Sequence, residues 1–300
     1  MIERRLVLAE PNREFHFSQW DIPEFKKYFS NVLVHYYAED PNFTQIKEDD
    51  ILFVFLHLGI YQSVKCFARF AMLYPGFGFH PLHNLPQRAL VAGYITQYNA
   101  VFVNDGPVWE SYTGTPNVFC APYGLASEMF KKTRIRTKFK RIIQVANNFA
   151  WQYKGRHIAE EAMRLMPYEW ELIPDKNNLI GAIPFSELPD VYQNADGFLN
   201  PNMIGPPPGY WIDCTYTGTT LEAGLSGCII FWHDCMGLGN RFETVFEISL
   251  NPVEIATKVQ DIVNSIDLEK HSLLTAQEFY EKCNIHDATK YKVDVIKNYL

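Results

Sequence analysis

The sequence predicts an α/β protein made of two doubly wound, Rossmann-like halves. Three observations lead there. Short apolar runs bounded by turn residues alternate with helix-like segments, the alternation restarts near Arg141, and 300 residues suit two compact domains of roughly 150 residues each.

In the first half the apolar runs are Arg5 to Ala9, Val32 to Tyr36, Ile51 to Leu56, Phe70 to Leu73, Ala100 to Val103 and Asn117 to Ala121. Continuous runs of this kind suit strands buried on both faces of a parallel sheet. Between them Tyr61 to Ala68, Leu85 to Tyr98 and Pro107 to Tyr112 read as helices. The second half opens with strand Ile142 to Ala146 and helix Gly155 to Met166. Strand Trp170 to Ile173, strand Leu179 to Ile183, helix Ser186 to Asn194 and strand Gly197 to Asn200 follow, then helix Gly218 to Ser226 and strand Cys228 to Trp232. Helical spacing returns at Pro252 to Ser265 and Ala276 to Cys283.

A composition of 47% hydrophobic, 20% charged and 15% aromatic residues belongs to a chain that buries sizeable cores, not to a disordered one. No apolar run reaches the ~18 residues of a membrane helix, and Glu3, Arg4 and Arg5 precede only a short apolar stretch, so a cytoplasmic location is expected. The six cysteines form no C-x-x-C pair and no cluster with histidine, which argues against a zinc site or a disulfide framework. Neither G-x-G-x-x-G nor a P-loop is present, which disfavours dehydrogenases and P-loop enzymes; Pro75-Gly76-Phe77-Gly78 is a weak glycine loop.

Charge is uneven. Through Arg141 there are 16 basic and 13 acidic residues, and beyond it 11 basic and 21 acidic. Lys131, Lys132, Arg134, Arg136, Lys138, Lys140 and Arg141 form a basic run that suits either a solvated connector or an anionic partner such as nucleic acid.

Two Rossmann-like halves are expected to face a central cleft, since open α/β sheets bind ligands beyond the carboxyl ends of their strands. From Arg141 to about Asn264 the sequence resembles the C-terminal domain of family 4 (group 1) glycosyltransferases with the GT-B fold. Strand Ile142 to Ala146 with Tyr153-Lys154-Gly155 is similar to the family's first strand and its Lys-Gly helix start. Gly181-Ala182-Ile183-Pro184, Glu187-Leu188-Pro189 and Tyr192-Gln193-Asn194-Ala195-Asp196 are similar to its segment beside the donor base. Thr219-Thr220-Leu221-Glu222-Ala223-Gly224-Leu225-Ser226-Gly227 resembles its glutamate-bearing helix. In the first half, Val108 through Pro116-Asn117-Val118 to Pro122-Tyr123-Gly124 and Phe130 resembles the last strand and connector of the acceptor domain.

The resemblance implies an acceptor domain over residues 1–138 and a nucleotide-sugar domain over 139–300 that carries the terminal helices. It also implies a soluble transferase that moves a sugar from a UDP- or GDP-sugar co-substrate, with retention of anomeric configuration and without metal or cofactor. A diphosphate needs a cation and free helix amides. Lys154 would supply the cation, and Thr217, Gly218 and Thr219 the amides and hydroxyls. Glu222 would accept hydrogen bonds from ribose hydroxyls, with Ile183 and Pro184 beside the base. The alternative for Glu222 is an ordinary first-turn carboxylate, but its apolar and small neighbours favour burial.

The sequence departs from the family pattern in three places. Cys214 stands where an acidic residue contacts the donor sugar, leaving Asp213 as its substitute. Phe149 stands where a basic residue is expected, beside Asn147 and Asn148, with Arg156 as a possible replacement. Pro11 to Phe17 replaces the glycine-rich amino-terminal loop. On the acceptor side His16, His57, Tyr74, His80 and His83 are candidates among which most are structural. His57, ending the strand from Ile51, is the preferred catalytic group. His233-Asp234-Cys235 looks like a triad fragment, but adjacent residues do not face one another as nucleophile and base. The acceptor class stays open between a glycan, a lipid-linked sugar, a small molecule and a modified nucleic acid. Two rival readings are a GT-B protein that binds a nucleotide sugar or glycan without turnover, and a transferase acting on modified DNA bases.

Overall fold

A computed structural model describes residues 1–11, 20–55, 61, 63–73, 91–106, 109, 112–146, 154–173, 183–203, 216–235, 237 and 239–300. The chain divides into two compact units, Met1–Gly124 with Asn284–Leu300, and Leu125–Cys283.

The first unit is built on strands β1 (Leu6–Glu10), β2 (Val32–Tyr36), β3 (Ile51–Phe55), β4 (Ala68–Leu73), β5 (Ala100–Val103) and β6 (Val118–Cys120), all parallel, in the order β2-β1-β3-β4-β5-β6. The inner runs β1, β3, β4 and β5 are buried on both faces apart from Arg69, as a parallel sheet requires, while the edge strands β2 and β6 are partly exposed. Val7, Ala9, Leu52, Val54, Val101 and Val103 fill one core, while Leu6, Leu8, Ile51, Phe53, Phe70 and Phe102 fill the other. Helix α1 (Asp21–Phe25) closes the second of these.

The second unit holds β7 (Arg141–Val145), β8 (Glu169–Ile173), β9 (Gly197–Asn200), β10 (Ile229–Trp232) and β11 (Val245–Glu247), again all parallel, in the order β11-β10-β9-β7-β8. Its helices are α2 (Arg156–Arg164), α3 (Leu188–Gln193), α4 (Gly218–Leu225), α5 (Pro252–Ser265) and α6 (Leu268–Lys282). The spacing that predicts α5 also gives it an apolar stripe: Ile255, Ala256 and Val259 pack with Ile158, Ala162 and Met163 of α2 over Ile142 and Phe231. Asn251 caps α5, accepting from the Val253 and Glu254 amides. Numbered along its own strands, the second sheet runs in the 2-1-3-4-5 order of doubly wound folds, and the first runs in the same order with a sixth strand added after the fifth.

Helix α7 (Ile285–Lys297), unanticipated in the sequence reading, belongs to the first unit. Its Val293 and Ile296 enter the core around Phe53 and Phe102, and Lys292 Nζ donates to Asp21 Oδ1 at 2.6 Å with both side chains at most 4% exposed. The chain therefore passes from one unit to the other at 124/125 and back at 283/284, where the sequence predicts a single passage at 138/139, and the final helix returns to the first sheet.

Much of the basic connector is structural. Arg136, 1% exposed, donates to three carbonyl oxygens, those of Ala195 at 2.9 Å, Ser226 at 2.7 Å and Tyr192 at 3.0 Å, and Arg134 pairs with Asp196. These bonds anchor residues 125–138 to the second unit. Residues 63–67 are a turn followed by irregular chain where the spacing predicts a helix, because the Phe67 amide donates to Asp50 O and the chain enters β4 at Ala68. The expected strand Leu179 to Ile183 falls almost wholly outside the described residues.

Candidate functional site

The order of the second sheet reverses between β7 and β9, so the ligand crevice of such a sheet lies beyond the carboxyl ends of those strands. Beyond β7 the chain reaches Lys154 and Gly155. Gly155 has φ +60°, the left-handed conformation, and a Cβ there would sit 2.0 Å from the carbonyl oxygen of Pro201, just past β9. Only glycine lets these two crossing points approach. Gln144, a polar residue in the buried stretch of β7, donates from Nε2 to Lys154 O at 2.7 Å and fixes that backbone.

Beyond β9 a network of hydroxyls and one amide surrounds the start of α4. Asn200 Nδ2 donates to Thr220 Oγ1 at 2.6 Å; Thr217 Oγ1 lies 2.8 Å from Thr219 Oγ1 and 2.9 Å from Thr220 Oγ1 and accepts from the Thr220 amide. Thr217 is thus a side-chain N-cap, which holds the first turn in register. Among the described residues a Cβ on Gly218 would meet only Glu222 Oε1, at 3.9 Å, and Gly218 itself is exposed, so the helix start is open. First-turn amides in an open position suit an anion.

Glu222, one turn into α4, is buried, and its Oε2 accepts from Tyr192 Oη at 2.8 Å. Burial pushes its pKa up to about 7, with the Tyr192 hydrogen bond and the Lys154 charge pulling the other way. Lys154 therefore stands near enough for its ammonium to be felt at Glu222. Ile183 lines a cavity of about 380 Å³ with Ile173, Glu187 and Val191; Pro184 is exposed beside it.

Of the residues singled out in the sequence, Lys154, Thr217, Gly218, Thr219 and Glu222 converge on the carboxyl ends of β7 and β9, and Ile183 and Pro184 lie in the segment leading into α3. His57 and Asp213 lie outside the described residues, as do Cys214, Phe149, Asn147, Asn148, His16, Tyr74, His80 and His83. Arg156, the alternative basic residue, is buried and donates from Nη2 to Leu172 O at 3.3 Å. His233 and Asp234 are engaged separately, His233 Nδ1 with Ile248 O at 2.8 Å and Asp234 with the Gly239 amide at 2.6 Å. The sequence points to no role for Gln144 or Asn200, and places Tyr192 in the segment beside the donor base without its link to Glu222. The first two carry a readable signal, a carboxamide in an apolar strand. Among the described residues no group of three or more His, Cys, Asp or Glu is placed to hold a metal ion, and no helix is long and apolar enough to cross a membrane.

No protein-family model matches the sequence, and no curated protein is similar to it in sequence. Solved structures are similar in fold. A glycosyltransferase from Rickettsia africae is 10% identical over 99% of this chain and 98% of its own, with a TM-score of 0.68. AviGT4, a glycosyltransferase of avilamycin A biosynthesis, is 10% identical over 99% and 98%, with a TM-score of 0.62. A UDP-N-acetylglucosamine 2-epimerase is 9% identical over 99% and 97%, with a TM-score of 0.60. With two parallel sheets of doubly wound order, these likenesses show that the chain has the GT-B fold.

Proposed function

We propose that this protein is a glycosyltransferase whose second unit holds a nucleotide-diphosphate sugar. The observation that carries the proposal is Glu222: a buried carboxyl, within reach of the Lys154 charge, one turn behind an open helix start. A nucleotide sugar carries a group that suits each element. Its diphosphate matches Lys154 and the amides at Gly218 and Thr219, which concentrate positive potential at the helix start. Its ribose hydroxyls donate to Glu222, whose Oε1 faces the helix start while Oε2 is held by Tyr192. Its base lies against Ile183 and Pro184. UDP and GDP are the leading candidates, and UDP is the nucleotide of the epimerase with this fold.

In this reading the transfer retains the anomeric configuration and uses no metal. Negative charge builds on the departing diphosphate, and Lys154 with the α4 amides stabilises it as it forms. The diphosphate itself helps to take the acceptor proton, so positioning does most of the work. Asp213 stands in for the acidic residue replaced by Cys214, and His57 serves the acceptor side. A second reading, a nucleotide-sugar binding protein without transfer, draws on Cys214 and Phe149, which remove one acidic and one basic group of the family pattern.

A thermal-shift panel of nucleoside diphosphates and nucleotide sugars on the wild type and Glu222→Ala, without added metal, tests the proposal. Stabilisation by one nucleotide series that vanishes in the variant supports it. No shift with any nucleotide removes the transferase assignment. Release of nucleoside diphosphate from the sugar conjugate separates the transferase from the binding protein.

A further inference from the structure

Three of the orphaned buried side-chain atoms among the described residues belong to residues near the carboxyl ends of the neighbouring strands β7 and β9. Asn202 is 1% exposed and neither its Oδ1 nor its Nδ2 has a hydrogen-bond partner; Gln144 is 2% exposed and its Oε1 has none. Asn202 lies two residues past the end of β9, next to Pro201, whose carbonyl meets Gly155; Gln144 lies one residue before the end of β7. A carboxamide shut away with both groups unmet costs free energy that a protein does not usually carry without a use for it. Asn200, by contrast, is paired with Thr220.

We infer that Asn202 is a specificity-determining residue that reads the hydroxyls of the donor sugar, an inference that rests on the donor-site reading above. The chemistry of the orphaned pair selects the ligand. A phosphate offers acceptors only, so it can satisfy Nδ2 but leaves Oδ1 unmet. Vicinal sugar hydroxyls donate and accept, so they satisfy both ends of one carboxamide. Gln144 is a positioning residue in the same arrangement: its Nε2 is spent on Lys154 O, which sets the loop that carries the phosphate cation. The sugar lies beyond the diphosphate in the ligand, and Asn202 follows β9 two residues after Asn200, whose side chain joins the polar network that starts α4.

The test compares the affinities of wild type, Asn202→Leu and Asn202→Gln for UDP and GDP with those for their glucose, galactose, mannose and N-acetylglucosamine conjugates, by calorimetric titration. Melting of the ligand-free proteins is measured alongside. The expected result is a loss of about tenfold for the preferred sugar conjugate in Asn202→Leu, the equivalent of two neutral hydrogen bonds, with less than about threefold for the nucleoside diphosphate. Ligand-free Asn202→Leu melts at or above the wild type, because an apolar side chain of similar size replaces an unmet carboxamide. Asn202→Gln, which keeps the chemistry but moves it, shifts the preference among sugars. Equal losses for diphosphate and conjugate, or none for either, overturn the inference. So does a lower melting temperature with unchanged affinities, the mark of a purely structural carboxamide. If the wild type binds no nucleotide at all, the donor-site reading falls first, and that is visible before any variant is made.

Discussion

Tyr192 Oη donates to Glu222 Oε2 at 2.8 Å, and the two side chains that join α3 to α4 in this way are both buried. The bond does two things at once. It orients the carboxyl toward the start of α4, and it makes up part of the solvation that Glu222 loses on folding. Burial still dominates, which is why the carboxyl holds its proton up to about pH 7.

The pH dependence of stability follows with a definite sign. Between about pH 4.5 and 7 the folded Glu222 retains a proton that the unfolded chain has released, so its contribution favours folding at the acid end and is lost as pH rises. Glu222→Gln, neutral throughout and still able to accept from Tyr192, is expected to gain stability over the wild type as pH rises through 7, by about 3 kcal/mol at most. The check is denaturant unfolding of both proteins at pH 5 and pH 8. An equal difference at the two values would show that Glu222 is not the titrating group.

Nucleotide affinity moves the opposite way with pH. Ribose hydroxyls donate best to the ionised carboxylate, so binding to the wild type is expected to tighten between pH 6 and 8, and the Gln variant to lose that dependence. Titration with the preferred nucleoside diphosphate at both pH values reads it directly.

Lys154→Met tests the cation. Loss of a charge-assisted contact to diphosphate is expected to weaken nucleoside diphosphate binding by about 10- to 100-fold, with a smaller salt dependence, while a monophosphate-free nucleoside loses little. The same change removes the charge that helps to ionise Glu222, so the pH at which affinity rises moves upward. Affinity measured at two salt concentrations separates this from a folding defect.

Gly155→Ala is expected to be far more damaging than its size suggests. An L-residue at φ +60° costs about 1 kcal/mol or more, and the added carbon would overlap Pro201 O, so one of the two loops must move. A melting temperature lowered by several degrees, together with loss of nucleotide binding, is the expected outcome. A variant with unaltered melting would mean that the loops at β7 and β9 do not need their close approach.

In the first unit, His35 supplies an independent acid-sensitive element. It is 1% exposed, ringed by Phe43 and Tyr61, with neither ring nitrogen hydrogen-bonded and Asp40 3.9 Å away. Burial lowers its pKa despite Asp40, so the unfolded chain takes up a proton that the folded one refuses. Stability is complete above the ordinary histidine pKa of about 6.5 and is lost as pH falls below it, with a slope of at most one proton. His35→Leu is expected to flatten that part of the stability profile, as measured by unfolding between pH 5 and 7.

The alternation of apolar runs with helical segments made both sheets readable, because inner strands such as Ala100–Val103, buried on both faces, announce themselves by continuity, and the edge strand Val32–Tyr36 keeps the same apolar run. Val32–Tyr36, Ala100–Val103 and Gly197–Asn200 match their expected bounds. Helix α7 was hidden for a physical reason: its apolar residues serve a core assembled by strands more than a hundred residues away, and its buried Lys292 reads as polar until Asp21 is found beside it. Residues 63–67 misled for the reverse reason, since local spacing there suggests a helix while the Asp50 carbonyl captures the Phe67 amide. At the site, Glu222, Lys154 and the threonine-rich helix start were legible as a local pattern. Tyr192 was not legible as their partner, since its link to Glu222 is made only once α3 and α4 pack together.

The Leu125 amide donates to the Cys283 carbonyl at 3.0 Å, closing the second unit where the chain enters and leaves it. Residues 125–283 are therefore a cassette with adjoining ends, spliced into a host whose own fold is completed only by the returning helix. A cassette of that shape is portable. Its expression as one continuous polypeptide, residues 125–283, is expected to give a folded domain, whereas the host needs Gly124 rejoined to Asn284.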